Sequence, residues 1–163
     1  ENVVSAAHEG LVLPIRTWIS GGGKADATFE TSGASRRTLL MHAAANAQES
    51  VAELLLKRGA QVDLQDSNGT TALLEAAQRG HVQVMDLLLK RGAEVGLANN
   101  DGVTALTAAM LLGKTEAAHR LMSAIADNRE AWVQSVLDRG TGRVNAASMR
   151  GRLAHVPRCG AAE

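Results

Sequence analysis

The stretch that decides the fold is the heptapeptide LLLKRGA, which occurs at Leu54–Ala60 and again, 33 residues later, at Leu87–Ala93. A repeat period of this length predicts stacked copies of one small unit rather than a single irregular core. Stacked units present an extended surface, so the repeat favours a binding function. Other positions keep the same step: Thr38, Thr71 and Thr104; Ala43–Ala44 and Ala76–Ala77; Gly80 and Gly113.

The clearest single unit runs from Asp66 to Leu97. Its Ser-Asn-Gly triplet is a turn signal, because Asn and Gly tolerate positive φ. Thr71 follows at a position suited to an N-cap, just before an apolar run with helical spacing. Gly80 is placed to end that first helix. A second helix is predicted over Val82–Lys90, so each unit is a pair of helices preceded by a turn.

This unit resembles the ankyrin repeat, whose hallmark string is a glycine, then TPLHxAA, then GH, then LLLxxGAxVN. The matching residues here read G-T-TALLEAA-QRGH and LLLKRGAEVG. Ala72 replaces the family's proline, Leu74 its histidine and Gly96 its asparagine. The resemblance implies an all-α fold, an ankyrin-type helical solenoid of about four repeats with degenerate ends and short turn fingers.

The same register predicts units at about 1–26, 31–63, 64–96 and 97–145, which together make one repeat domain over residues 1–145. In the first unit Glu1 takes the place of the capping threonine, so we interpret the chain as starting inside a repeat. The insert Lys24–Arg37 exceeds the period by about four residues and predicts a longer finger. In the last unit the extra first helix is either absent or fused into Thr115–Ala126, as expected of an irregular C-terminal cap. Residues 146–163 lack periodicity and are predicted to form a mobile basic tail.

The composition excludes several classes of function. The 163 residues have a formal net charge of zero, which gives no overall attraction to nucleic acid. Aromatic residues make up 2% of the chain, so few rings are available to stack on bases. The single cysteine, Cys159, cannot form an intrachain disulfide, which fits an intracellular, cytoplasmic or nuclear location. No apolar run approaches the ~20 residues that span a bilayer.

Catalytic and cofactor sites are not indicated by the sequence. Gly113-Lys114-Thr115 resembles the end of a phosphate-binding loop, but that loop requires a further glycine where the chain has Ala108. Gly113 is already explained as a helix terminator. The five histidines do not pair with one another or with Cys159 at a metal-ligand spacing. We expect His42 to be a packed, hydrogen-bonded histidine, and we predict no enzymatic activity, no cofactor and no metal.

The family resemblance implies that the chain binds a protein partner. In that family, partners contact the turn tips and the exposed ends of the first helices, on the concave side. Two functions follow: a protein–protein interaction module, or a recognition segment of a larger protein whose enzymatic or channel part lies elsewhere. Carried over by position, the predicted contacts are Arg37, Ser67, Asn68, Thr70, Gln78, Arg79, Asn100, Asp101, Val103, Leu111 and Leu112.

Leu111 and Leu112 are the two contact positions that the sequence leaves open. The family usually places polar residues there, so adjacent leucines need a reason. Either they anchor a partner, as apolar residues in a hot spot do, or the irregular C-terminal helix covers them. The two alternatives predict opposite exposures for these side chains.

Overall fold

The computed structural model describes residues 3–30 and 36–138, with side chains described as far as residue 128. Helices dominate this part of the chain, and one short hairpin accompanies them. In chain order the elements are α1 (Val3–Glu9), α2 (Val12–Ser20), β1 (Thr28–Glu30), β2 (Arg36–Thr38), α3 (Leu39–Ala45), α4 (Glu49–Lys57), α5 (Ala72–Arg79), α6 (Val82–Lys90), α7 (Ala105–Leu111) and α8 (Thr115–Asp138).

The predicted helix boundaries of the clearest unit are confirmed. The Thr71 hydroxyl accepts a hydrogen bond from the backbone N–H of Leu74, 3.2 Å away, and so caps α5. Gly80 ends α5 in the left-handed conformation at φ +78°, which glycine adopts without strain. Thr38 and Thr104 cap α3 and α7 in the same way, so one capping residue recurs with the repeat.

The helices form two layers that follow from the repeat. The first helices of successive units, α1, α3, α5 and α7, pack side by side, and the second helices α2, α4, α6 and α8 pack behind them. The alanine pairs at Ala43–Ala44 and Ala76–Ala77 are buried and let the first helices approach closely. Leu55, Leu88 and Leu121 are fully buried at intervals of one period. Each unit therefore relies on its neighbours to cover its apolar face.

The longer finger predicted over Lys24–Arg37 contains a β-hairpin. Strands β1 and β2 pair antiparallel, with Thr28 opposite Thr38 and Glu30 opposite Arg36. Phe29 on β1 lies 6.0 Å from Trp18 on α2, measured between ring centroids, which attaches the hairpin to the first unit. The all-α prediction therefore holds for the solenoid, with this hairpin as a local addition.

The last unit ends in a long helix. Helix α8 runs without a break over 24 residues from Thr115 to Asp138, so no separate helix pair follows α7 in the described residues. The predicted tail at 146–163 lies outside the described residues. Over the described part of the chain, no helix combines the length and apolar character needed to cross a membrane.

Candidate partner-binding surface

The fingers are held by side chains that bond to their own backbone. One carboxylate oxygen of Asp66, Oδ1, accepts hydrogen bonds from the backbone N–H groups of Asn68 (2.9 Å) and Thr70 (2.8 Å). One period later, the side-chain oxygen of Asn99 accepts from the backbone N–H groups of Asp101 (3.0 Å) and Val103 (2.8 Å). Asp and Asn favour this local turn because their short side chains reach the backbone two residues on. The finger conformation is therefore fixed before any partner arrives.

Neighbouring fingers are also tied to each other. The backbone N–H of Arg36 donates to the Ser67 hydroxyl at 3.3 Å. On the other side, the side-chain amide of Asn100 donates to the Ser67 carbonyl at 3.0 Å, and its backbone N–H donates to the Asn68 carbonyl at 2.9 Å. Gly69 permits this approach, because a Cβ there would lie 2.9 Å from the Asn100 backbone nitrogen. Three successive fingers thus form one connected row.

Arg37 occupies the base of the hairpin finger and neutralises two buried carboxylates of the next unit. Its Nη2 forms an ion pair with Oε1 of Glu75 in the first turn of α5. Its Nε lies 3.6 Å from Oδ2 of Asp66. The side chains of Glu75 and Asp66 are 4% and 1% exposed, so both charges need a partner in place. Arg37 therefore links two units electrostatically.

His42 lies on α3 at the repeat position that Glu75 takes on α5. It is buried, and its Nδ1 lies 2.8 Å from Nε2 of His8 on α1, with the two rings edge to face. Burial lowers the pKa of His42 from 6.5 to about 4, assisted by the charges of His8 and Arg37. The ring is therefore neutral near pH 7. The expectation of a packed, hydrogen-bonded histidine is confirmed.

The exposed ends of the first helices carry different chemistry in successive units. On α5 they are Gln78, half-buried, and Arg79, whose side chain is 53% exposed. On α7 the equivalent positions are Leu111 and Leu112, which are 78% and 56% exposed. Of the two alternatives, coverage by the C-terminal helix does not hold, because α8 packs against α7 and still leaves both leucine side chains exposed. The alternative that they are available to a partner remains.

Most of the eleven predicted contact residues are exposed. Two of them need correction. Thr70 is buried, because its backbone is folded onto Asp66, and the guanidinium of Arg37 is engaged with the two carboxylates described above. Val103 is half-buried. We call the remaining residues the tip–helix strip: Ser67, Asn68, Gln78, Arg79, Asn100, Asp101, Leu111 and Leu112.

Glu75 is the residue of this surface that the sequence reasoning missed. It is a buried acid in the first turn of a helix whose neighbouring positions are apolar. The sequence contains a feature that indicates this role: when the units are aligned, Glu75 and His42 are polar residues at the same repeat position. A polar residue in a buried helix stripe implies a buried partner. That partner, Arg37, could have been sought one finger earlier.

The part of the chain that the structure describes offers little for metal chemistry. Within residues 3–30 and 36–128, no group of three or more His, Cys, Asp or Glu side chains is placed to hold a metal ion. The basic side chain of His81 is used structurally, since its Nε2 lies 3.2 Å from the Ala45 carbonyl of the preceding unit.

Comparison with known families agrees with this architecture. The family model described as ankyrin repeats (3 copies) matches residues 6–99 and 40–131. The chain belongs to the ankyrin repeat family. Ankyrin repeats are generally protein–protein interaction modules and are typically non-enzymatic. A search of curated proteins finds no match to the chain.

Proposed function

We propose that this chain is a protein–protein interaction module whose partner docks across the tip–helix strip of the two middle units and α7. The observation that carries the proposal is the exposure of Leu111 and Leu112 beside a row of prearranged finger tips. Large exposed apolar residues rimmed by polar groups are typical of an interaction site. We also predict an intracellular location and no enzymatic activity.

Rigidity of the fingers supports this function. A binding surface that is ordered before association loses less conformational entropy when the partner arrives. The hydrogen bonds from Asn100 to Ser67 and Asn68 join two tips, and Asp66 fixes the turn between them. The tips leave side-chain and backbone polar groups accessible, while the two leucines supply the apolar contact that a hot spot requires.

The experiment is site-specific photo-crosslinking followed by titration of the captured protein. A photoreactive residue at Asn68 or Leu111 should capture the same protein from cells of the source organism, whereas one at Lys57 on the second-helix side should not. With that purified partner, Arg79→Ala together with Leu112→Ala should weaken binding by at least ~2 kcal/mol and leave the melting temperature nearly unchanged.

The matched control is Lys57→Ala with Lys90→Ala, which removes two exposed charges from the second helices. Lys57 pairs with Glu53 at 2.8 Å, an exposed helix pair of small energetic value. This control should change the affinity little. A control pair that is more damaging than Arg79 with Leu112 would show that the strip is not the binding site.

A further inference from the structure

Around Glu75, Arg79 is the more weakly paired of two arginines and the one that belongs to the strip. Glu75 has one carboxylate, and Arg37, whose side chain is 23% exposed, already pairs with its Oε1. Arg79 approaches the other oxygen only through Nε, at 3.8 Å, which is too long for a hydrogen bond. Its guanidinium end is therefore available to an external anion. Planar guanidinium groups recognise carboxylates in a two-bond geometry.

The surroundings of Arg79 reinforce this positive character. The side chain of Lys114, in the turn between α7 and α8, lies over Gly80, since its Cδ would be 3.1 Å from a Cβ at that glycine. Two cationic side chains thus lie near the C-terminal end of α5. The nearest acid along the chain from Lys114, Glu116, begins the second helix α8 and so belongs to the layer behind. The acid of the strip itself, Asp101, lies at a finger tip and not at the helix ends, where Arg79 and Lys114 lie.

An apolar surface lies directly beside these cations. Leu112, the C-cap of α7, occupies the repeat position of Arg79 on α5, and Leu111 that of Gln78. Helices packed side by side have axes about 8–10 Å apart, which sets the distance between equivalent positions on them. In the middle units the described residues include no exposed large hydrophobic side chain, whereas α7 presents Met110, Leu111 and Leu112. The strip therefore changes from cationic to apolar over one helix spacing.

We propose that the partner presents an extended acidic–apolar segment to the strip, with a carboxylate on Arg79 and a large aliphatic side chain on Leu111 and Leu112. This rests on the proposed function and specifies the chemistry of the partner. An extended chain in the polyproline II conformation has three residues per turn and advances about 3.1 Å per residue, so an acidic and an aliphatic residue three positions apart lie on the same face, about 9 Å from each other. A helical segment brings residues three or four positions apart only about 5–6 Å from each other, so a helix would span 8–10 Å only with a separation of about seven residues, which the selected peptides distinguish.

The test uses a display library of random peptides selected on the immobilised chain of residues 1–163. Peptides enriched on the unmodified chain should carry Asp or Glu about three residues from Leu, Ile or Met. Selection on Arg79→Gln should lose the acidic residue and keep the aliphatic one. Selection on the double variant Leu111→Ser with Leu112→Ser should lose the aliphatic residue and keep the acidic one. Enrichment of the same peptides on all three proteins would overturn the proposal.

Affinities of one enriched peptide then give a quantitative check. By fluorescence polarisation, Arg79→Gln should weaken binding about tenfold, the effect of losing one hydrogen bond to a charged group. The matched control Lys90→Gln removes an exposed cation from the second-helix layer and should change the affinity less than about twofold. Equal losses for the two variants would attribute binding to overall charge and overturn the proposal.

The two proposals fail in different ways. If peptides of another chemistry are enriched and compete with the cross-linked partner, the acidic–apolar inference is wrong while the binding function stands. If no peptide is enriched, the inference is wrong as well, and the photo-crosslinking experiment alone decides the binding function. Melting temperatures of each variant equal to that of the unmodified chain verify that binding, and not folding, has changed.

Discussion

Removing Arg37 should destabilise the array far more than removing Arg79, although both arginines approach the same carboxylate. Arg37→Met leaves Glu75 and Asp66 buried with less compensation, and breaking a buried pair costs roughly 3–5 kcal/mol. The Arg37 side chain retains 23% exposure, so we expect a value near the lower end, about 3 kcal/mol. Arg79 is 53% exposed and makes only a 3.8 Å approach, so Arg79→Met should cost under ~0.5 kcal/mol.

A double-mutant cycle isolates the pair. Glu75→Leu alone leaves Arg37 near Asp66 and partly in solvent, so it should cost about 1–2 kcal/mol. Arg37→Met combined with Glu75→Leu replaces the ion pair by aliphatic side chains and should lie within about 1 kcal/mol of the unmodified chain. Asp66 loses Arg37 in this double variant as it does in Arg37→Met, so this part of the cost remains, while its Oδ1 keeps two backbone N–H donors.

The assay is urea unfolding followed by helical circular dichroism, which gives the free energy of unfolding for each variant. The cycle should yield a coupling of at least about 2 kcal/mol between Arg37 and Glu75. If Arg37→Met costs no more than Arg79→Met, the ion pair does not stabilise the array and the reasoning from burial is refuted.

Three further predictions test the packing. Because the pKa of His42 is lowered from 6.5 to about 4, the unfolded chain alone binds this proton between those pH values, and the free energy of unfolding should fall by up to about 3 kcal/mol from pH 7 to pH 4. His42→Leu should reduce that slope in urea titrations, whereas the exposed His119→Ala should preserve it. Leu88→Ala should cost roughly 2–5 kcal/mol in the same assay, since Leu88 is fully buried, and a loss under ~0.5 kcal/mol would contradict the assigned core. Gly69→Ala should lower the melting temperature more than Gly92→Ala: both glycines have positive φ, but only the first meets the neighbouring finger.

The repeated parts of the fold could be predicted from the sequence because each local pattern recurs at the same 33-residue spacing, which fixes the position of the equivalent element in the next unit. Thr71 as a cap, Gly80 as a terminator and Val82–Lys90 as a helix all followed from local rules that each unit obeys. The stacking of units followed from apolar faces that one helix pair cannot cover alone. These features depend on residues close in sequence or separated by one fixed period.

Features that depend on a single contact between units were not predictable in the same way. Arg37 was assigned to an accessible tip because its repeat position is a tip position, yet the charge of Glu75 in the next unit draws it inward. Thr70 was expected at the surface, but folding of its backbone onto Asp66 buries it. The exposure of Leu111 depended on how far α8 continues, which periodicity does not determine. Tertiary context decides each of these cases.

The ion pairs of Glu75 link the stability of the repeat array to the availability of Arg79 for a partner. Arg79 is free for a partner only while Arg37 neutralises Glu75. In Arg37→Met, Glu75 has one cation left, and Arg79, one helical turn away, should move toward it and away from the strip.

Binding of an acidic–apolar peptide should therefore weaken several-fold in Arg37→Met, measured at a temperature where the variant is fully folded, although Arg37 itself is not placed on the strip. Adding Glu75→Leu should release Arg79 and restore the affinity together with the stability. If Glu75→Leu restores stability but not affinity, Arg37 contacts the partner directly. Its original assignment as a contact residue would then be correct, and the role of Glu75 would be confined to the fold.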